Sequence, residues 1–308
     1  MRAGVIGVGH LGYHHARILR GLVGDVAIFD TDSRRSEEVS GELDVHPCSS
    51  LNELLDRVEM AVVACPTTHH HRVALEAMEK NVDLLVEKPL ASSVPEAEEM
   101  VDLSAESGVV VGVGHVERFN PAVMASVDLI RKPLFVEGHR LAPFKPRGTD
   151  VSVVMDLMIH DIDLVLCFAR SEVEEVRASG VPVLSDNVDI ASARIQFRDG
   201  ATANITASRI SREPVRKLRF FQRSSYVSID FAGKMVEAYR LKAGQIVPVE
   251  VPIPGADALQ TELSDFIAAC TERRRPMVSA GDGLRALRVA DMISRSMKES
   301  LERFREGS

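Results

Sequence analysis

The sequence predicts an α/β protein in two parts: a doubly wound parallel sheet over residues 1–119, then an α+β domain over 120–308 with a large, mostly antiparallel open sheet. Three observations predict it. The first 115 residues alternate short apolar runs with amphipathic stretches, the order that gives parallel strands with right-handed crossovers. After about residue 120, strands of period-two alternation replace that order. A chain of 308 residues also exceeds what one hydrophobic core usually serves.

In the first part Ala3–Val8, Val26–Phe29, Met60–Ala64, Val82–Val86 and Val109–Val113 are continuous apolar runs, as strands buried on both faces are. Leu11–Leu22, Arg34–Gly41, Thr67–Lys80 and Pro95–Ser107 read as the helices between them. Ser33 stands where a cap belongs, and Pro95 and Gly108 bracket the last helix. In the second part Met155–Phe168 reads as a buried helix. Ala191, Ala193, Ile195 and Phe197 share a strand face, Asp199-Gly200 signals a hairpin, and Ala201, Ala203, Ile205 and Ala207 carry the apolar face back. Strands follow at Val227–Phe231, Met235–Leu241 and Ile246–Val251, then helices at Ala258–Cys270 and Leu284–Leu301. Helices cover one face of this sheet. Self-association into a homodimer or homotetramer is the expected cover for the other.

A net charge of −8 argues against a nucleic-acid partner. No apolar run reaches the roughly 18–20 residues of a membrane helix, and the short N-terminal run breaks at glycines instead of forming a secretion signal. Cys48, Cys65, Cys167 and Cys270 form no CxxC pair. They read as reduced thiols, and the expected compartment is the cytoplasm.

Gly7-Val8-Gly9-His10-Leu11-Gly12 is a GxGxxG between a buried strand and an amphipathic helix, the context that makes it a Rossmann dinucleotide fingerprint. Gly7 permits the tight turn, Gly9 lets backbone approach a pyrophosphate, and Gly12 lets helix and strand pack closely. The helix start then turns its free N–H groups toward phosphate. Asp30 lies eighteen positions after Gly12, at the end of the second strand. A carboxylate there accepts from the ribose hydroxyls and repels a 2′-phosphate, which favours NAD over NADP. Arg34 and Arg35 lie just beyond and suit a phosphate; Asp30 also reads as a turn or cap residue, a job Asp32 could share.

With Glu87-Lys88-Pro89 at a strand end, the chain resembles the Gfo/Idh/MocA oxidoreductases along essentially its whole length. Pro66-Thr67-Thr68-His69-His70 resembles the family's loop at the nicotinamide ribose, with His70 at its histidine. Asp156-Leu157-Met158-Ile159-His160 resembles its D-x-G-x-H, with Met158 at the glycine position. The resemblance implies a cofactor site of Gly7, Gly9, His10, Leu11, Gly12, Asp30, Pro66, Thr67, His70, Glu87 and Lys88. The segments 114–121 and 143–150 further resemble a bacterial subgroup that oxidises the 3-hydroxyl of UDP-N-acetylglucosamine for lipid A-type biosynthesis.

Removing hydride from a carbinol carbon also requires loss of the hydroxyl proton. A cation at Lys88 can hydrogen-bond the reacting oxygen and lower its pKa, although Lys88 also reads as a surface partner of Glu87. Asp156 and His160, four apart on a helix, share a face. Spacing alone leaves a satisfied core histidine equally open. The resemblance implies His160 as proton acceptor and Asp156 as a substrate or orienting group. No third ligand accompanies the pair, so no metal site is expected there. Of His69-His70-His71 and His14-His15 only His70 is a site residue; the others read as helix surface.

A nucleotide-sugar would bring a diphosphate, for which Arg118, Arg147 and Lys145 are candidates beside Asn120. Arg209, Arg212, Arg216, Lys217 and Arg219 read as a solvated basic loop. The expectation is therefore an NAD-dependent dehydrogenase of a small molecule, most specifically a nucleotide-sugar. A dehydrogenase of a free sugar or cyclitol and a non-catalytic NAD-binding sensor are the alternatives. The acid–histidine pair suits a hydroxylated substrate better than a tetrapyrrole.

Overall fold

The structure is a computed structural model and describes residues 1–144, 151–185 and 187–306. The chain begins β1 (Ala3–Ile6), α1 (His10–Val23), β2 (Val26–Phe29), α2 (Ser33–Leu43), β3 (His46–Pro47), α3 (Leu51–Arg57), β4 (Met60–Val63), a 3-10 turn (Thr67–His69), α4 (His70–Glu79), β5 (Asp83–Glu87), α5 (Val94–Ser107) and β6 (Val111–Gly114). It continues α6 (Pro121–Ser126), β7 (Pro133–Leu141), a π-turn (Val154–Met158), α7 (Ile159–Ala169), β8 (Val173–Val181), β9 (Ile190–Phe197), β10 (Thr202–Ser208), β11 (Val215–Gln222), β12 (Ser225–Asp230), β13 (Met235–Lys242) and β14 (Gln245–Val249). Helices α8 (Ala258–Glu272) and α9 (Ala280–Glu306) close it.

Two compact units result: Met1–Val116 with Asp257–Leu284, and Glu117–Ala256 with Arg285 onward. Residues 257–284, expected with the second sheet, thus return to the first. The cause is apolar: Leu263, Phe266 and Cys270 of α8 join Val5, Leu19 and Val62 in one core.

The first unit's six strands run in the order β3-β2-β1-β4-β5-β6, every pair parallel. The order reverses between β1 and β4, so the loops after them, at Gly7 and Cys65, flank the switch point where such sheets take their ligands. Helix ends follow local chemistry. Asp32, not Ser33, caps α2, its carboxylate accepting from the Arg34 and Arg35 N–H groups. Ser93 caps α5, and Gly108 ends it in the left-handed region.

The second unit's sheet has the order β14-β13-β12-β11-β7-β10-β9-β8. Its pairs are antiparallel except β7–β10, which is parallel. Inward residues such as Ile195, Ile205, Leu218, Phe220 and Ile229 share a core with Ile162 and Val165 of α7 and Ile293 of α9. On the opposite face Phe135, Phe221, Tyr226 and Tyr239 form a row, with successive ring centroids 5.7, 5.1 and 6.2 Å apart.

The expected solvated basic loop is corrected here. Arg216, Lys217 and Arg219 lie on β11, inside the sheet between β12 and β7. Arg219 pairs with Glu137 at 2.8 Å, Lys217 lies 3.8 Å from Asp230, and Arg209 is buried with Nη2 donating to the Val151 carbonyl. Outward charges on a strand are compatible with burial of Leu218 and Phe220 beneath them.

Candidate active site

The glycine loop has the geometry a bound pyrophosphate needs. Gly7 has φ +87°, and a Cβ there would stand 2.7 Å from the Cys65 nitrogen. A Cβ on Gly12 would meet the Gly7 carbonyl oxygen at 1.8 Å. At Gly9 a Cβ would meet nothing within 4 Å, so the loop is packed behind and open in front. No side chain caps α1, whose first N–H groups remain available to an anion. His10 and Leu11 are exposed at this helix start.

Asp30 is the loop's anchor. Its Oδ2 accepts from the Val8 N–H at 2.7 Å and its Oδ1 from the Asp32 N–H at 3.0 Å. Each oxygen retains a second lone pair for a ribose hydroxyl. Arg35 is committed, its Nε donating to the Val8 carbonyl and its Nη1 to Glu38, whereas Arg34 is largely exposed. Asp30 lines a cleft with Gly7, Phe29, Cys65, Pro66 and Arg72. These residues fit a dinucleotide. Thr67 opens the 3-10 turn that follows Pro66.

His70 does not point into that cleft. Its ring is buried, with Nδ1 2.9 Å from the Pro89 carbonyl and Nε2 2.9 Å from the Cys65 carbonyl. It therefore ties the loop after β4 to the Glu87-Lys88-Pro89 segment. Burial lowers its pKa, against the opposing pull of the two carbonyls.

Lys88 follows β5 directly and is half-buried. Its backbone N–H donates to Glu87 Oε2 at 3.2 Å, while Glu87 Oε1 lies 2.7 Å from His15 Nε2. His15, read from sequence as helix surface, is fully buried. The missed signal was its position on α1 one turn from Gly12, facing the sheet.

In the second unit Asp156 lies in the π-turn and His160 in the first turn of α7. The single helix expected there begins instead with an Ile159 N–H donating to the Val154 carbonyl, a wider winding often found at functional sites. Both side chains are half-buried among Val154, Met158 and Ile159, which are buried.

Two expected substrate ligands are engaged by groups of the second unit itself. Arg118 is buried, its Nε donating to Asp163 Oδ2 at 2.7 Å and its Nη2 to Oδ1 at 2.6 Å. Asn120 caps α6, its Oδ1 accepting from the Ala122 N–H and its Nδ2 donating to Glu117. Arg140 pairs with Asp161 and Glu117. These are folding duties: a buried charge needs a partner. Asp163 and Asp161 are those partners. Arg147 and Lys145 lie outside the described residues.

Comparison with known proteins shows the family. The profile of the oxidoreductase family with an NAD-binding Rossmann fold, GFO_IDH_MocA, matches residues 1–115. The GFO/IDH/MocA C-terminal domain profile matches 135–222. The UDP-N-acetylglucosamine 3-dehydrogenase of Acidithiobacillus ferrooxidans is 36% identical over 310 residues, covering 98% of this chain and 99% of its own. A solved structure of that enzyme superposes with a TM-score of 0.92 over 97% of this chain and 98% of its own. The inositol 2-dehydrogenase of Rubrobacter xylanophilus is 34% identical over 60% of this chain and 58% of its own. A levoglucosan dehydrogenase solved with NADH, 18% identical with a TM-score of 0.86 over 97% of both chains, shares the fold.

Proposed function

The chain belongs to the GFO/IDH/MocA family of NAD-binding oxidoreductases, and from that premise we propose that it oxidises the 3-hydroxyl of UDP-N-acetylglucosamine to a 3-keto sugar. It is a dehydrogenase acting on a CH–OH group. The observation that carries the substrate is the end-to-end match to a UDP-N-acetylglucosamine 3-dehydrogenase.

NAD, when bound, supplies the hydride acceptor. The chain's own residues supply the rest. The glycine loop and the start of α1 hold the pyrophosphate, and Asp30 accepts the adenosine ribose hydroxyls and disfavours a 2′-phosphate. Lys88 hydrogen-bonds the reacting oxygen and stabilises negative charge as its proton leaves. His160 takes that proton, and Asp156 binds a substrate hydroxyl or orients the imidazole. With Arg118 engaged by Asp163, Arg147 and Lys145 are assigned to the diphosphate. Four cysteines outside any disulfide suit a reducing compartment, and we assign the enzyme to the cytoplasm.

NADH formation tests the reading. Purified protein and NAD are mixed with UDP-N-acetylglucosamine, with free N-acetylglucosamine, glucose and myo-inositol in parallel. An aminotransferase with glutamate draws off the ketone. Turnover confined to the UDP-sugar is expected. Turnover of inositol alone would replace the substrate by a cyclitol, a second reading favoured by the partial match to inositol 2-dehydrogenase. NAD binding without turnover of any CH–OH substrate would favour a sensor.

A further inference from the structure

Glu262, on α8, is buried, and neither of its carboxyl oxygens has a hydrogen-bond partner. Helix α8 packs on α1. The charged groups that bear on Glu262 are Glu87 of β5 and Asp265 of its own helix. Glu87 is already enclosed. His15 of α1 holds one oxygen, the Lys88 N–H donates to the other, and on β6 a Cβ at Gly114 would come within 2.8 Å of the carboxyl. Two carboxyls and one imidazole are thus buried in the first unit, one of the carboxyls held by the Lys88 backbone.

An ionised carboxyl with no partner is the costliest occupant of such a place, and two neighbouring carboxyls cannot both ionise there without a large penalty. The pair must divide the charge unequally. Glu87 has an imidazole and a backbone donor to stabilise an anion; Glu262 has neither. We propose that Glu262 is a positioning residue that carries a proton in the folded enzyme, leaving Glu87 as the single anion that His15 and the Lys88 N–H hold in place. Burial first, then the charges of Glu87 and Asp265, push the Glu262 carboxyl up. Ionising Glu262 would set a second negative charge against Glu87 and loosen the segment that presents Lys88. This last step rests on the reading of Lys88 as the residue that hydrogen-bonds the reacting oxygen; the proton assignment stands without it.

The linkage has a definite sign. A carboxyl whose folded pKa is raised costs nothing below the ordinary carboxyl range. It then destabilises the fold progressively as pH rises toward the folded value. Glu262→Gln keeps the shape and removes the titration. Thermal unfolding of the full chain, wild type against Glu262→Gln, should show the variant gaining on the wild type by about 2–5 °C per pH unit above about pH 5. Glu262→Met, similar in bulk and also uncharged, should show the same slope if the amide is poorly accommodated. Infrared difference spectra at neutral pH should show a protonated-carboxyl C=O stretch in the wild type that Glu262→Gln lacks. A melting difference independent of pH in both variants, or no such stretch, overturns the proposal. In turnover, kcat of the wild type should fall earlier on the alkaline side than that of Glu262→Gln, with KM unmoved; coincident profiles overturn the link to Lys88. A pH slope that survives while every sugar fails would remove the substrate reading and keep the proton.

Discussion

Arg118 closes both arms of its guanidinium on Asp163, at 2.7 and 2.6 Å, with side chains only 9% and 1% exposed. Removing the arginine leaves the Asp163 carboxylate buried without its ion-pair partner. Arg118→Ala should therefore cost about 3–5 kcal/mol of stability, read as a lowered denaturant midpoint. Replacing both residues by apolar ones of similar size should recover much of that loss. If Arg118→Ala instead kept its stability and weakened only UDP-sugar binding, Arg118 would return to the diphosphate.

Lys88 is half-buried at the end of β5, on the segment bound by Glu87 and His70. A hydrogen bond that strengthens as negative charge develops on oxygen acts on kcat. Lys88→Ala should lower kcat by about 10²–10³-fold and leave NAD affinity, measured by calorimetry, near its original value. A rise in KM with kcat intact would assign Lys88 to ground-state binding.

Asp30 does two things at once: it accepts from the Val8 N–H and lines the cleft beside the glycine loop. Asp30→Ala should weaken NAD binding by loosening the loop. It should also raise the relative affinity for NADP, since the repelling carboxylate is gone. The ratio of the two dissociation constants is the decisive quantity, and a ratio unchanged from wild type would remove Asp30 from the ribose site.

His70 faces two carbonyls, at Cys65 and Pro89, and a neutral imidazole has one N–H to give. Burial nevertheless dominates and lowers its pKa. For a histidine with a depressed folded pKa, the contribution to stability is complete above the ordinary value and is lost as pH falls through the folded one. Wild type should thus lose stability below about pH 6.5 more steeply than His70→Gln, in melting curves taken from neutral to mildly acid pH. Parallel curves would mean that His70 does not titrate in that window.

What the sequence made legible was local. The fingerprint Gly7 to Gly12 lies within one turn and reads directly, as does the β9–β10 hairpin, whose inward faces alternate alanine, isoleucine and phenylalanine. Strand β7 was hidden because its inward face carries Gly138 and Arg140. Gly138 is small because a Cβ would stand 2.8 Å from Leu218, and Arg140 is tolerated because Asp161 and Glu117 neutralise it. Strand β8 turns Ala178 and Gly180 inward, too small to mark a face. The pairs His15–Glu87 and Arg118–Asp163 span 72 and 45 positions. No local pattern announces them, so each residue looked like surface or ligand until its partner was placed.

The open face of the second sheet is the remaining expectation with a direct test. Tyr239, Leu241 and Ile246 are 40%, 52% and 77% exposed beside the row of Phe135, Phe221 and Tyr226. The charged residues farther along are matched within the chain, Arg219 with Glu137 and Lys217 with Asp230. A face that sets exposed apolar side chains beside internally paired charges suits a second copy of itself related by a two-fold axis. Tyr239→Asp with Ile246→Asp would place two carboxylates on each side of such a contact, where like charges oppose and must be desolvated. Sedimentation of the wild type should report a dimer or tetramer at micromolar concentration and the double variant a monomer that still folds, because neither side chain belongs to the core. A wild type that already sediments as a monomer, or a variant that keeps the wild-type mass, would move the assembly to another surface.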